Sequence, residues 1–520
     1  MYLVFLLEQY MPKIIFVSII VFNLFLSIGY SQIISDSLKR KIKQSTKQPI
    51  FELQRDIDAI LDSPDISNAF VGISVLNLES SEFFYRKNDY KNFIPASLIK
   101  MLTSSAALNY LGEDFRFNTK LYLNGYLAEN GEFNGDIIVR GGGDPTLSKN
   151  FYKEPLDVLN QFANALDSLG IKSINGNIIG DDNYFDDEYY APGWAWDDFM
   201  YPFSAQINAL SIYENKIDII VKPNQILNQI AEYRLEPNTK YVQVINNVQT
   251  LSPKAISDVV VYKEIFSNFV QMSGGIIRDS LGKEEVQSSV AVDNPTLYFL
   301  HLLKDCIDKH NIKVRGVLLD IDDYRETITY SDLHLISTIY SPPLKSIIPV
   351  MNKQSNNLIA ESILKTVAKE VTGKGAFQTG TELLAKFASK SGISAEKISL
   401  YDGSGLSRMT VISPKNFVTL LSYMYRNEDK DIFINSLAIP GESGTLKRRL
   451  TKSVAQKQLW AKSGSMNGIN NLSGYIKTKD NEMLAFAIMI MNDTVPQTIS
   501  SNIIDLICMR LAAFSRKKEL

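Results

Sequence analysis

The chain has 520 residues, too many for one ordinary domain, and its 45% hydrophobic content suits a globular fold. A formal net charge of −3 and a pI near 5.9 give no electrostatic case for binding nucleic acid. Three histidines, His301, His310 and His334, stand in no recognisable nucleophile or metal setting, so a histidine-based hydrolase and a metal site are not expected.

At the N-terminus, Lys13 is followed by the mostly apolar run Ile14 to Leu26 and then by Ser27-Ile28-Gly29-Tyr30-Ser31-Gln32. The run falls short of the ~20 residues a membrane span needs, and the small residues Gly29 and Ser31 suit cleavage before Gln32. Residues 1–31 therefore read as a signal peptide, with translation starting at Met1 or Met11, and the expected destination is the periplasm or cell envelope. An uncleaved anchor is the alternative, and peripheral membrane association is compatible with either. Cys306 and Cys508 lie far apart in apolar helical surroundings and read as buried free thiols.

Next in order is a strand-like run, Phe70 to Leu76, and then Phe93-Ile94-Pro95-Ala96 leading into Ser97-Leu98-Ile99-Lys100 and an apolar helix of small residues through Leu108. From about 118 to 327 the pattern changes to short alternating runs broken by Asn124-Gly125, Asn130-Gly131 and Asn134-Gly135, which predicts a mostly β insertion, divided into two subdomains. Residues 52–115 and 328–515 carry helices, predicted at Asp332–Ile339, at Gly380–Ser391 and from about Ile499 to Phe514. Long apolar strands include Phe70 to Leu76 and Met483 to Met491, and Leu472 to Ile476 is strand-like. An antiparallel sheet flanked by helices and made from both chain ends fits this pattern.

Three short motifs carry chemistry: Ser97-Leu98-Ile99-Lys100, Ser355-Asn356-Asn357 and Lys462-Ser463-Gly464. Ser97 and Lys100 lie at i and i+3, on one helix face, and a lysine serves as the serine's base if burial beside another cation, here Lys462, lowers its pKa by roughly 3 units. Ser-x-x-Lys occurs five times in the chain, so it is the buried helix after Ser97 that singles out this one: a lysine there must be paired or functional. Ser355 has the competing reading of a helix cap before Asn357, and Lys462-Ser463-Gly464 that of a turn at a strand end.

In this order and setting the motifs resemble those of the penicillin-recognising serine enzymes. The chain is most similar to the class C low-molecular-mass penicillin-binding proteins, the D-alanyl-D-alanine carboxypeptidases/endopeptidases. The closer likeness rests on Val139 to Leu147 (Val-Arg-Gly-Gly-Gly-Asp-Pro-Thr-Leu), Tyr401 to Arg408 (Tyr-Asp-Gly-Ser-Gly-Leu-Ser-Arg) and Gly444 to Arg449, with serine replacing the commoner threonine at Ser463.

The resemblance implies an α+β fold: a transpeptidase-like domain from 32–117 plus 328–520, interrupted by the insertion at 118–327. It implies that Ser97 attacks the penultimate D-alanine of a peptidoglycan stem peptide with Lys100 as base, through an acyl-enzyme. Ser355 would relay a proton to the leaving amine, Asn357 would hold the substrate amide, and Lys462 with Ser463 would meet the terminal carboxylate. Backbone N–H groups of Ser97 and Ser465 would form the oxyanion hole, and Gly464 is a further substrate-binding position. Asp144 would meet a free amino group of the substrate, its competing role being to stabilise a turn. Arg408 and Met466 are weaker substrate-contacting candidates, with helix capping and plain packing as the competing readings. β-Lactam antibiotics are implied as covalent inhibitors, and no cofactor is implied.

Two further classes remain open on sequence. A serine β-lactamase lacks support, because the Glu-x-x-Leu-Asn segment usual in class A enzymes is absent and the insertion is long. A non-catalytic envelope-binding module is disfavoured by three intact motifs.

Overall fold

The computed structural model describes residues 49–278 and 285–517. The expected signal segment, its cleavage site before Gln32 and the Ser-x-x-Lys at Ser280 lie outside the described residues. None of the described helices is long and apolar enough to cross a membrane.

The frame of the molecule is a five-stranded antiparallel sheet ordered Leu459–Met466, Ile469–Lys477, Met483–Met491, Phe70–Asn77, Phe83–Lys87. The strand Met483–Met491 shows why it lies in the middle. Ala485, Ala487 and Met489 face one apolar core while Leu484, Phe486, Ile488 and Ile490 face another, so the near-continuous apolar run is a strand buried on both faces.

On one side pack the helices Ile99–Leu111, Leu344–Gln354, Asn357–Thr372, Phe377–Lys390 and Pro414–Tyr425. The opposite side is closed by Pro49–Leu61 and Gln497–Ala512, from the two ends of the described chain, tied together by an Arg510 to Asp56 ion pair at 2.8 Å. Cys306 and Cys508 are free and buried, in different cores.

The inserted region has its own core. A seven-stranded sheet includes Asn118–Leu127 and Glu132–Arg140, and three small sheets pack their apolar side chains into the same cluster as its inner face. Two helices, Pro155–Ser168 and Pro295–Lys309, belong to it as well. The segment 332–339, expected as a helix, contains instead the strand His334–Tyr340, which pairs antiparallel with Asn118–Leu127. Its β-branched residues Ile336, Thr338 and Ile339 fit the open edge of that sheet, which therefore includes His334–Tyr340.

Candidate active site

The nucleophile's segment is shaped before its helix begins. Ala96 has φ 47°, a left-handed conformation uncommon for a residue with a Cβ, and Ala96–Leu98 forms a 3-10 turn leading into Ile99–Leu111. Asn471, on the second strand of the sheet, donates from Nδ2 to Ile94 O (3.0 Å) and Pro95 O (2.9 Å) and so fixes this turn against the sheet. Two glycines allow the close approach. A Cβ on Gly464 would sit 2.5 Å from Pro95 O, and one on Gly405, whose φ is 81°, would sit 1.9 Å from Ala96 O.

Lys100 is fully buried, and its Nζ lies 2.9 Å from Ser97 Oγ, 2.6 Å from Asn357 Oδ1 and 2.8 Å from Ser404 O. The two carbonyl oxygens can only accept, so a neutral amine gives them its two N–H groups and turns its lone pair toward the Ser97 hydroxyl. Asn357 is held in the matching orientation because its Nδ2 donates to Phe203 O at 2.7 Å. Burial pushes Lys100 down to about 7, with the carboxylates of Glu361 and Asp402 opposing the shift.

Of these two carboxylates, Asp402 belongs to the Tyr401–Arg408 stretch noted in sequence, whereas Glu361 was not foreseen. Glu361 accepts from Gly403 N (2.8 Å) and Ser404 N (2.7 Å), fixing the turn whose Ser404 carbonyl meets Lys100. Asp402 accepts from Gly405 N, Ser407 N and the Trp194 indole. Glu361 is fully buried on the helix Asn357–Thr372, whose residues 358–368 are all buried, and no motif in the sequence marked it.

The structure brings Lys462 to the same place. Its Nζ is 2.9 Å from Ser355 Oγ and 2.7 Å from Ser463 O, and burial together with the positive charge of Lys100 holds it well below the usual lysine value. Ser463 Oγ donates to Thr445 Oγ1 at 2.7 Å, so Thr445 is a further member of the group that sequence did not single out. Ser355 is not the cap of the following helix. It ends the preceding one at φ 61°, while the Asn356 side chain accepts from Ile359 N at 3.0 Å and does the capping.

A cleft of about 400 Å³ opens over these groups, lined by Ser97, Ser355, Asn357, Arg408, Ser465 and Met466 together with Asp198 and Phe203 from the inserted region. A larger trough of about 920 Å³ lies on the inserted region and contains none of the three motifs. Arg408 caps no helix; it is exposed and reaches Asn467 O at 3.4 Å. Met466, half-buried, lies at the cleft wall rather than inside a core.

Asp144 does not line the cleft, and its side-chain hydrogen bonds reach none of the three motifs. It is 2% exposed, and its Oδ1 accepts from Thr146 N (2.9 Å) and Thr146 Oγ1 (2.7 Å), the turn-stabilising arrangement expected of an Asp before proline. Burial raises its carboxyl to about 6. The carboxylate that does line the cleft is Asp198, raised by burial and by Asp197 and lowered by Arg408. Of the other Ser-x-x-Lys pairs, Ser362 and Lys365 are buried, with Lys365 committed to Asp186 at 2.6 Å.

The D-Ala-D-Ala carboxypeptidase 3 (S13) family model matches residues 53–513. A D-alanyl-D-alanine carboxypeptidase from Actinomadura sp. is 28% identical over 474 residues, covering 89% of this chain and 85% of that protein. The D-alanyl-D-alanine carboxypeptidase DacB of Haemophilus influenzae is 30% identical over 432 residues, covering 81% of this chain and 85% of its own length. The crystal structure of penicillin binding protein 4 (dacB) from Haemophilus influenzae matches with a TM-score of 0.74 at 26% identity, over 87% of this chain and 97% of that one; it has also been crystallised with a β-lactam.

Proposed function

The chain belongs to the D-Ala-D-Ala carboxypeptidase 3 (S13) family and is a serine-type DD-peptidase, and from that premise we propose which of its groups perform each step. The observation that carries the assignment is the setting of Lys100, whose amine has two carbonyl partners and the Ser97 hydroxyl as its third.

Ser97 Oγ gives its proton to Lys100 Nζ as it attacks the carbonyl carbon of the penultimate D-alanine. The oxyanion that forms is met by the backbone N–H groups of Ser97 and Ser465, supported by the tight seating of Gly464 on the nucleophile's turn. Ser355, in hydrogen-bond reach of Lys462, gives its proton to the departing amine nitrogen and takes one back through the lysine ammonium beside it, so that the proton taken from Ser97 is passed on; the C–N bond breaks and D-alanine leaves. Water then attacks the acyl-enzyme and releases the shortened peptide. A β-lactam forms the same ester, which persists because its leaving amine stays tethered.

Substrate enters beside the strand Leu459–Met466, an edge strand of the five-stranded sheet, whose outer edge offers backbone groups to an extended peptide. Lys462 and Ser463 take the terminal carboxylate and Asn357 the peptide amide. Arg408 and Met466 contact the stem peptide. The free amino group of the stem peptide meets Asp198, in place of the buried Asp144. The catalytic unit comprises 32–117 with the C-terminal part, and the periplasm is the working compartment.

The test is chromatographic: a stem pentapeptide ending in D-Ala-D-Ala incubated with the mature chain should lose one D-alanine, and Lys100→Ala should reduce that release by at least ~100-fold. Release undiminished in Lys100→Ala would refute the assignment of the base.

A further inference from the structure

Three successive residues of the inserted region, Tyr213, Glu214 and Asn215, have φ 51°, 58° and 52°. None is glycine, and a run of left-handed residues is disfavoured at every step, so surrounding contacts must impose it. Those contacts are present. Asn215 is fully buried and donates from Nδ2 to Gln206 O (2.9 Å) and Ser211 Oγ (3.0 Å), while Tyr213 is buried and bonds from N to Leu147 O at 2.8 Å. The turn between these anchors presents Glu214 to the catalytic unit.

Glu214 Oε1 accepts from Asn150 Nδ2 at 2.9 Å and from Asn356 Nδ2, and its other oxygen faces Lys216 Nζ at 3.4 Å. Asn356 is the middle residue of Ser355-Asn356-Asn357, and its Oδ1 is already engaged by Ile359 N. Both ends of the Asn356 amide are therefore held, one by the helix it caps and one by the inserted region. Its neighbours are Ser355, itself at φ 61°, and Asn357, whose Nδ2 is tied to Phe203 O of the same inserted region. Rotation of Asn356 would move Ser355 Oγ relative to Lys462 and Asn357 Oδ1 relative to Lys100.

We propose that Glu214 is a positioning residue for the reaction: by holding Asn356 it sets the placement of Ser355 and Asn357, and the inserted region thereby completes the frame of the active site. This rests on Ser97 being the acylated group. The role is one of geometry during the chemical step, so it affects the acylation rate constant rather than the preceding non-covalent binding of the ligand.

The experiment follows benzylpenicillin acylation of the mature chain by mass at several ligand concentrations, which separates the rate constant from the binding constant. Glu214→Ala should lower the rate constant about tenfold, with binding within about twofold and an unchanged thermal midpoint; Glu214→Gln, which keeps an acceptor oxygen, should retain most of the rate. Asn356→Asp still caps the helix but sets two carboxylates face to face, and should be slowed as well. Adding Glu214→Gln to Asn356→Asp supplies a donor to that carboxylate and should restore the rate, a rescue that a merely structural role would not produce. Wild-type acylation rates in Glu214→Ala, or a double variant no faster than Asn356→Asp alone, would overturn the proposal. Absence of any adduct on the wild type would instead refute the reading of Ser97 on which it rests.

Discussion

A lysine amine enclosed by two carbonyl oxygens and one hydroxyl is a base only while it is neutral, and burial supplies that condition for Lys100. Because its pKa is pushed down to about 7, the neutral fraction grows as pH rises through that value, and the acylation rate grows with it. We therefore expect the rate constant for benzylpenicillin acylation to climb across a limb near pH 7 and level off above it; a limb near pH 10, where an ordinary lysine titrates, would contradict this. At this scale the grouping of Ser97 with Lys100 and Asn357, and of Ser355 with Lys462, was legible as a candidate site, because the three motifs are local and their order is informative. Glu361 and Asp198 were not legible. Their work depends on which backbone turn or cleft wall they face, and nothing in the neighbouring sequence encodes that. Asp144 misled for the complementary reason: an Asp after three glycines is compatible both with a ligand and with a turn, and only its burial against Thr146 decides.

The edge strand Leu459–Met466 and the turn Ala96–Leu98 act as a pair whose separation is set by the missing side chain of Gly464. Gly464→Ala places a Cβ 2.5 Å from Pro95 O, a contact relieved only by moving the strand or the nucleophile's turn. Either movement spoils the alignment of the Ser97 and Ser465 N–H groups, so acylation should fall by about 10²–10³, the range for losing one oxyanion donor. Time-resolved mass measurement on Gly464→Ala checks it, and a rate within threefold of wild type would count against the proposed oxyanion hole. The elements themselves were mostly legible. The segment 332–339 was misread because His334 to Ile339 is short and mixed in polarity; pairing with Asn118–Leu127, distant in sequence, decides its conformation.

Across the whole molecule, the two ends of the described chain meet on one face of the central sheet, where the helix Gln497–Ala512 buries Ile503, Ile504, Ile507 and Leu511 against Ile488, Ile490 and Leu472. Burying such side chains contributes about 1.5–3 kcal/mol each, so their joint loss matches the roughly 5–15 kcal/mol that holds a domain together. A chain lacking 497–520 should lose the cooperative unfolding of the catalytic unit, seen by calorimetry as a large drop in unfolding enthalpy, whereas a transition with the full-length midpoint and enthalpy would mean that this helix is dispensable. The long interval between the first two motifs made an insertion legible, but the large apolar core shared by its sheets was not, because short alternating runs do not reveal which faces meet. The central claim, that this assembly turns Ser97 into an acylated nucleophile, is tested by intact-mass analysis of the mature chain after brief exposure to benzylpenicillin, with Ser97→Ala alongside. The account predicts one penicilloyl adduct on the wild type and none on Ser97→Ala; an adduct retained by Ser97→Ala, or none on either protein, would contradict it.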